Sequence, residues 1–298
     1  MIMDDFIAFI LTHGRPKNVY TYFTLRKQGY TGRIVFVVDD EDKCADEYIS
    51  TYGAENVVMF SKAEVAATFD EVIPGDRRTI VYARNACFDI AEKLGYRYFI
   101  ELDDDYTAFR WRFDSEFNYL TATPRINNLD AVFKALLEFY KSTPAKSIAM
   151  AQGGDFIGGR HSQGGKEISA KRKAMNSFIC DTQRRFSFVG RINEDVNTYV
   201  WRGSLGEIFM QTSQVDLQQK QTQSNVGGMT DVYLDSGTYL KSFFTVIVAP
   251  SCVKVGLMGN KKAEQKRLHH VIAWNNAVPK IVREIHKKQH KSNDLTAQ

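Results

Sequence analysis

A series of short apolar runs through the first hundred residues narrows the fold most. Phe6–Thr12, Ile34–Val38, Val57–Phe60 and Tyr98–Leu102 are too short for helices and rich in β-branched and aromatic side chains, as buried strands are. Stretches of helical length and pattern lie between them, from Pro16 towards Gly29, over Ala45–Tyr52 and over Val81–Leu94. Pro16 suits a first helical turn, because its missing N–H has no partner to lose there. Strands that alternate with helices need crossover connections. The expected fold is therefore α/β, a mostly parallel central sheet with helices on both faces. Residues 109–268 are less regular, with one clear helix at Leu129–Ser142 and paired glycines at Gly153-Gly154, Gly158-Gly159, Gly164-Gly165 and Gly227-Gly228. Val271–His290 reads as a closing helix before a polar tail. The whole chain, 1–298, is expected to be one domain, with a regular half at 1–108, an irregular half at 109–268 and a terminal helix and tail at 269–298.

Ligands of parallel sheets bind beyond the carboxyl ends of the strands. Three polar groups fall there: His13–Arg15, Asp39–Asp42 and Asp103-Asp104-Asp105. They are expected to converge on one edge. Three successive carboxylates repel one another unless a cation sits among them. In an extended segment Asp103 and Asp105 point the same way and Asp104 the other. Such a pair suits a hard divalent ion, Mn²⁺ or Mg²⁺, with positions left open for water and phosphate oxygens. An Asp-x-Asp string on its own also marks turns and helix caps; its place directly after a buried strand favours the metal. His269 and His270 are candidates for a further ligand, against a structural or exposed role. His286 and His290 have helical spacing but lie in a charged tail.

A second acidic group occurs at Asn193-Glu194-Asp195-Val196-Asn197. Transfer of a group to a hydroxyl needs a base for its proton, and Asp195, with Glu194 next, is the candidate. A helix N-cap explains the same residues equally well.

Charge is unevenly spread. Residues 251–298 hold ten Lys and Arg against three Asp and Glu, and residues 160–191 hold eight against two, although the whole chain is only +4. Two basic segments on an otherwise acidic protein suggest a polyanionic partner; a solvated tail is the plainer alternative. No run approaches the roughly 20 apolar residues of a membrane span. The acidic start, Asp4-Asp5, is unlike a secretory signal. Cys44, Cys87, Cys180 and Cys252 are too scattered for a zinc knuckle, which fits a reducing, cytoplasmic setting. The chain lacks the phosphate-binding G-x-x-x-x-G-K-[ST], the dinucleotide G-x-G-x-x-G after the first strand, the hydrolase G-x-S-x-G and the zinc-protease H-E-x-x-H.

The opening strand with His13-Gly14-Arg15-Pro16, the acidic end of the second strand, Arg84-Asn85 and Asp103–Asp105 together resemble GT-A glycosyltransferases. Further strings are more specific: Lys171–Phe178, Phe188–Val196, Gln223–Thr230, Gly237–Phe243 and His269-His270 to Ile281. With these, residues 5 to 285 resemble the TET-associated glycosyltransferases, found largely in phages, which glycosylate hydroxymethylated pyrimidines in DNA. The resemblance implies a GT-A-like domain with a nucleotide-sugar half and an acceptor half, a UDP-sugar donor and an acceptor DNA. In a phage protein the setting would be the host cytoplasm. It implies Asp103 and Asp105 on the metal, Asp39 on the nucleoside, Thr12, Arg15, Arg84 and Asp104 near the nucleotide, and Asp195 facing the acceptor hydroxyl. Gln223, Asn225, Gly227 and Gly228 would line donor sugar or base, or form only a turn. Lys171, Arg172, Lys173, Arg184 and Arg185 would contact phosphates. Phe178, Phe186, Phe188 and Trp201 are candidates to stack on an extruded base, set against the ordinary core role of aromatics. A glycan, protein or small-molecule acceptor, or a non-catalytic nucleic-acid-binding module, are the alternatives.

Overall fold

The computed structural model describes residues 4–72, 77, 79–166, 174–175, 177–220, 240–258 and 267–279. Its centre is an eight-stranded sheet in the order β3-β2-β1-β4-β7-β6-β8-β5. The strands are β1 (Phe6–Leu11), β2 (Ile34–Asp39), β3 (Val57–Phe60), β4 (Tyr98–Asp103), β5 (Tyr106–Trp111), β6 (Ser147–Gln152), β7 (Ser177–Asp181) and β8 (Phe209–Gln219). The helices are α1 (Tyr20–Lys27), α2 (Ala45–Tyr52), α3 (Lys62–Ala66), α4 (Val81–Lys93), α5 (Leu129–Lys141), α6 (Gln163–Lys166), α7 (Glu194–Ser204), α8 (240–248) and α9 (Trp274–Ala277). β9 (Val253–Met258) and β10 (Arg267–Ile272) form a separate antiparallel hairpin.

Alternation along β1 divides the interior in two. Phe6, Ala8 and Ile10 pack in one core with α5 residues Leu129, Phe133 and Leu137. Ile7, Phe9 and Leu11 pack in the other with Val81, Phe88 and Ala91 of α4 and Val196 and Val200 of α7. Each fully buried side chain of this size stabilises the fold by about 1.5–3 kcal/mol, which is why β1 is apolar throughout. α5 starts where Asn128 caps it, its side chain accepting from the Ala131 N–H at 3.0 Å. Gly203 lets α9 dock on α7: a side chain there would collide with the Ala277 carbonyl.

The α/β fold is as expected, and the sheet is parallel through β3-β2-β1-β4 and again between β6 and β8; β7 runs antiparallel to both its neighbours and β5 is antiparallel to β8. One expectation needs correction. The anticipated helix from Val271 is instead the end of β10 followed by the single turn α9, so His269 and His270 sit on a strand. Residues from 280 on, His286 and His290 among them, lie outside the described residues. No helix among the described residues is long and apolar enough to cross a membrane.

Candidate active site

Parallel register brings the expected groups to one edge. Leu11 pairs with Val37 of β2 and with Asp103 of β4, so Thr12, Asp39 and the aspartates all emerge together. Asp104 and Asp105 form the turn into β5 rather than extended chain. Thr21 of α1 locks this turn: its hydroxyl donates to the Asp103 carbonyl at 2.5 Å and accepts from the Tyr106 N–H at 2.9 Å.

Each aspartate consequently faces a different partner. Asp104 turns towards β1, accepting from Thr12 Oγ1 at 2.8 Å and Arg15 Nη1 at 3.2 Å. Tyr48 completes this arm, its oxygen taking the Arg15 N–H and standing 2.8 Å from Thr12 Oγ1. Asp103 accepts from Arg84 Nη2 at 3.0 Å. Asp105 Oδ1 is buried with no hydrogen-bond partner among the described residues. Burial, partly offset by Arg84, pushes the Asp103 carboxyl up to about 6; burial and the charges of Asp103 and Asp104 push Asp105 to about 7. Both shifts mark a place where one more positive charge is favoured.

Arg84, expected beside the nucleotide, is instead 1% exposed and lies beneath the site. Its guanidinium reaches Asp103, Glu194 at 3.1 Å and Glu101 at 3.5 Å, and faces the rings of Phe178 and Phe188. One cation thereby joins the end of β4 to the start of α7. Glu101, raised to about 8 mainly by burial, was missed as a site residue. The signal was present, since a glutamate in the middle of Tyr98–Leu102 requires a buried partner.

Glu194 and Asp195 occupy the first turn of α7, with Asn193 before it in the left-handed conformation (φ 56). Burial and then Asp195 raise Glu194 to about 7, and Asp195 also acts on Asp103, so the two acidic groups lie within each other's field. His270 approaches the back of this turn, its Nδ1 3.5 Å from the Asn193 amide, with the His269 ring 4.2 Å from its own. Among the described residues no three His, Cys, Asp or Glu side chains form a group able to hold a metal ion. His269 and His270, the candidates for a further ligand, therefore do not complete such a group with Asp103 and Asp105. The hairpin directs His270 against Asn193 instead.

At the end of β2, Asp39 is bound by His13 Nδ1 at 2.7 Å and by Lys62 Nζ at 2.8 Å. Burial raises its carboxyl, but these two hydrogen bonds outweigh burial and the net shift is downward.

Strand direction removes Arg184 and Arg185 from this edge. Asp181, at the end of β7, pairs with Tyr98 at the beginning of β4, so the residues after it emerge at the opposite end of the sheet from Asp103. Arg184 donates to the carbonyls of Thr143 at 2.7 Å and Ala145 at 3.2 Å, and Arg185 pairs with Asp89 and with Glu92 on α4. Both are committed to holding helices. Phe178, Phe186 and Phe188 are buried core, not stacking surfaces; Trp201 is half-buried. Lys171, Arg172, Lys173, Gln223, Asn225, Gly227 and Gly228 lie outside the described residues.

Among solved structures, a mannosyltransferase from Pyrobaculum calidifontis in complex with GDP-Man and Mn²⁺ matches at 10% identity and TM-score 0.46, over 74% of this chain and 58% of that one. Glucosyl-3-phosphoglycerate synthase from Mycobacterium tuberculosis with Mg²⁺ and UDP matches at 7% and 0.45, over 90% and 87%. TarS from S. aureus with UDP matches at 12% and 0.44, over 71% and 60%. The chain thus spans under two thirds of the mannosyltransferase and of TarS. No curated protein matches. The sequence pattern of the TET-associated glycosyltransferases matches residues 6–228, well over half of the chain, which therefore belongs to that family and is a glycosyltransferase.

Proposed function

We propose that the enzyme moves a sugar from a UDP-sugar to the hydroxymethyl group of a modified pyrimidine, 5-hydroxymethylcytosine or 5-hydroxymethyluracil, in DNA. The observation that carries the reading is the buried Asp105 Oδ1 without a partner among the described residues, beside Asp103, whose carboxyl lies within the field of Asp195. A buried, unpartnered carboxylate oxygen on Asp105 beside a second carboxylate is an all-oxygen donor set that fits a hard divalent cation. Asp103 and Asp105 would hold Mn²⁺ or Mg²⁺, which when bound supplies charge neutralisation to the departing diphosphate.

The chain's own residues account for the remaining work. Arg15, fixed to Asp104 and only partly covered, places a positive charge beside the phosphates. Asp39, held by His13 and Lys62, orients the nucleoside end. Asp195 accepts the proton of the attacking hydroxyl as its oxygen bonds to the anomeric carbon and the bond from that carbon to the diphosphate oxygen breaks. Arg84 keeps Asp103 and the α7 start at fixed separation, so the leaving-group and nucleophile sides stay aligned.

The test incubates the protein and Mn²⁺ with a panel of sugar nucleotides and duplexes carrying either modified base, followed by mass spectrometry. A sugar-sized increment on the modified nucleoside is expected, and Asp195→Asn should lower its yield at least 100-fold. A full increment from Asp195→Asn would move the base elsewhere. With Arg184 and Arg185 held in internal ion pairs, glycan, protein and small hydroxylated acceptors belong in the same panel; an increment on one of these and none on DNA would replace the acceptor.

A further inference from the structure

The edge that holds the aspartates carries a second set of buried polar groups two strands away. Glu101 of β4 pairs with Phe178 of β7, and Phe178 pairs with Ala149 of β6. β6 thus runs alongside β4 in the same direction, and its end at Gln152 is level with the Asp103–Asp105 turn, about 10 Å across the sheet. Asp155, in the 3-10 turn that follows, organises two amides. Its main-chain N–H donates to the Gln152 side chain, while its Oδ2 accepts from the Gln152 N–H at 3.0 Å and from Gln211 Nε2 at 2.5 Å. With those ends fixed, Gln152 presents Nε2 and Gln211 presents Oε1, each buried and without a partner among the described residues. Beside them, side chains built on Gly153 and Gly154 would meet nothing within 4 Å among the described residues.

Tyr199 lies on α7, within the fields of Asp195 and Asp155. It follows Asp195 by four residues and so shares its helix face. Its ring stacks on Trp274 at 5.9 Å and an interplanar angle of 7°, and its hydroxyl is buried with no partner among the described residues. Burial first, then the charges of Asp195 and Asp155, hold that hydroxyl proton on, which places the group within the field of both carboxylates.

We infer that Gln152, Gln211 and Tyr199 read the pairing edge of the acceptor pyrimidine while its hydroxymethyl group faces Asp195. The inference rests on the DNA acceptor reading above. The groups offered are a fixed donor, a fixed acceptor and a hydroxyl that can donate. Cytosine and uracil each display two acceptors and one donor on that edge, whereas guanine displays the reverse. In a duplex the edge is occupied by the partner base, so recognition requires extrusion of the nucleotide. Buried groups left unpaired by a wrong base make the discrimination steep.

The test measures binding of the full chain, with Mn²⁺ and UDP, to fluorescent duplexes that carry 5-hydroxymethylcytosine, 5-hydroxymethyluracil or guanine at one position. The wild type is expected to prefer one or both modified pyrimidines to guanine. Tyr199→Phe keeps the stacked ring and Gln152→Glu keeps the shape but turns a donor into an acceptor; each should reduce the preference about tenfold. Variants that retain the wild-type preference, or weaken all three duplexes equally, overturn the assignment and leave the DNA acceptor standing. A wild type that prefers no modified duplex overturns the acceptor reading itself. Melting curves accompany both variants, and if Gln152→Glu unfolds early, Tyr199→Phe decides.

Discussion

Two acidic clusters share one sheet edge and are built in opposite ways. Around β2, Asp39 and Asp42 are fully compensated: Lys62 and His13 hold Asp39, while the Gly14 and Cys44 N–H groups donate to Asp42 at 2.7 and 2.8 Å. Around β4, Glu101, Asp103 and Glu194 share the guanidinium of Arg84, and Asp105 has an oxygen with no partner among the described residues. The protonation equilibria follow. Asp39 is shifted down, whereas Asp103, Asp105, Glu101 and Glu194 are all shifted up. A compensated cluster is a finished positioning device. A deficient one favours a further positive charge, which is the basis for proposing a divalent cation at Asp103 and Asp105.

Removing Arg84 breaks the comparison most severely. In Arg84→Met three carboxylates remain buried together without a counter-charge, and breaking a buried ion pair from one side costs about 3–5 kcal/mol. Urea denaturation is expected to show a loss of that size, growing with pH as Glu101, Glu194 and Asp103 are forced to ionise. Arg84→Lys keeps the charge but lacks the fork that reaches three partners, and should fall between. A wild-type midpoint for Arg84→Met at pH 8 would show that the network does not hold the two halves of the site.

Neutralising Asp105 sharpens the contrast, because stability and activity should move in opposite directions. Asp105→Asn relieves repulsion from Asp103 and Asp104, so without divalent cation its melting temperature should rise by roughly 2–4 °C. Transfer should fall roughly 100-fold, and the stabilisation that Mn²⁺ gives the wild type should disappear. If Mn²⁺ stabilised this variant as it does the wild type, Asp105 would not be a ligand.

How far the sequence could be read follows the same division. β1, β2 and β4 were legible because strands buried on both faces appear as unbroken apolar runs, and because parallel connections force their ends to one side. β8 was not legible. Gln211, Thr212, Ser213 and Asp216 are buried polar residues inside a strand, and their environment comes from β5 and β6 rather than from any local pattern. The direction of β7 was equally hidden, and it alone decides that Arg184 and Arg185 point away from the aspartates. The depth of Arg84 is not legible locally, since it depends on Glu101 and on Glu194, 110 residues further along the chain. Asp195 is not the N-cap of α7, a place taken by Asn193, but lies in its first turn.

The smallest effect tests the compensated cluster by pH. The hydrogen bond and charge of Asp39, with help from Asp42, raise His13 above its ordinary 6.5, against burial and the nearby Lys62. A histidine raised on folding contributes stability that is fully present below 6.5 and is lost as pH rises through the folded value. Asp39→Asn removes that contribution together with the Lys62 pair. The His13 share of that loss changes with pH. The stability gap between wild type and variant should therefore be widest near pH 5.5 and narrow to a plateau by pH 8.5. His13 is substantially exposed, so solvent screens the effect and the narrowing should be slight. Titration of the His13 ring by NMR gives the same answer independently: its midpoint should drop in Asp39→Asn. An unchanged midpoint would mean that Asp39 is held by Lys62 alone, and that the β2 cluster, like the β4 cluster, relies on one buried cation.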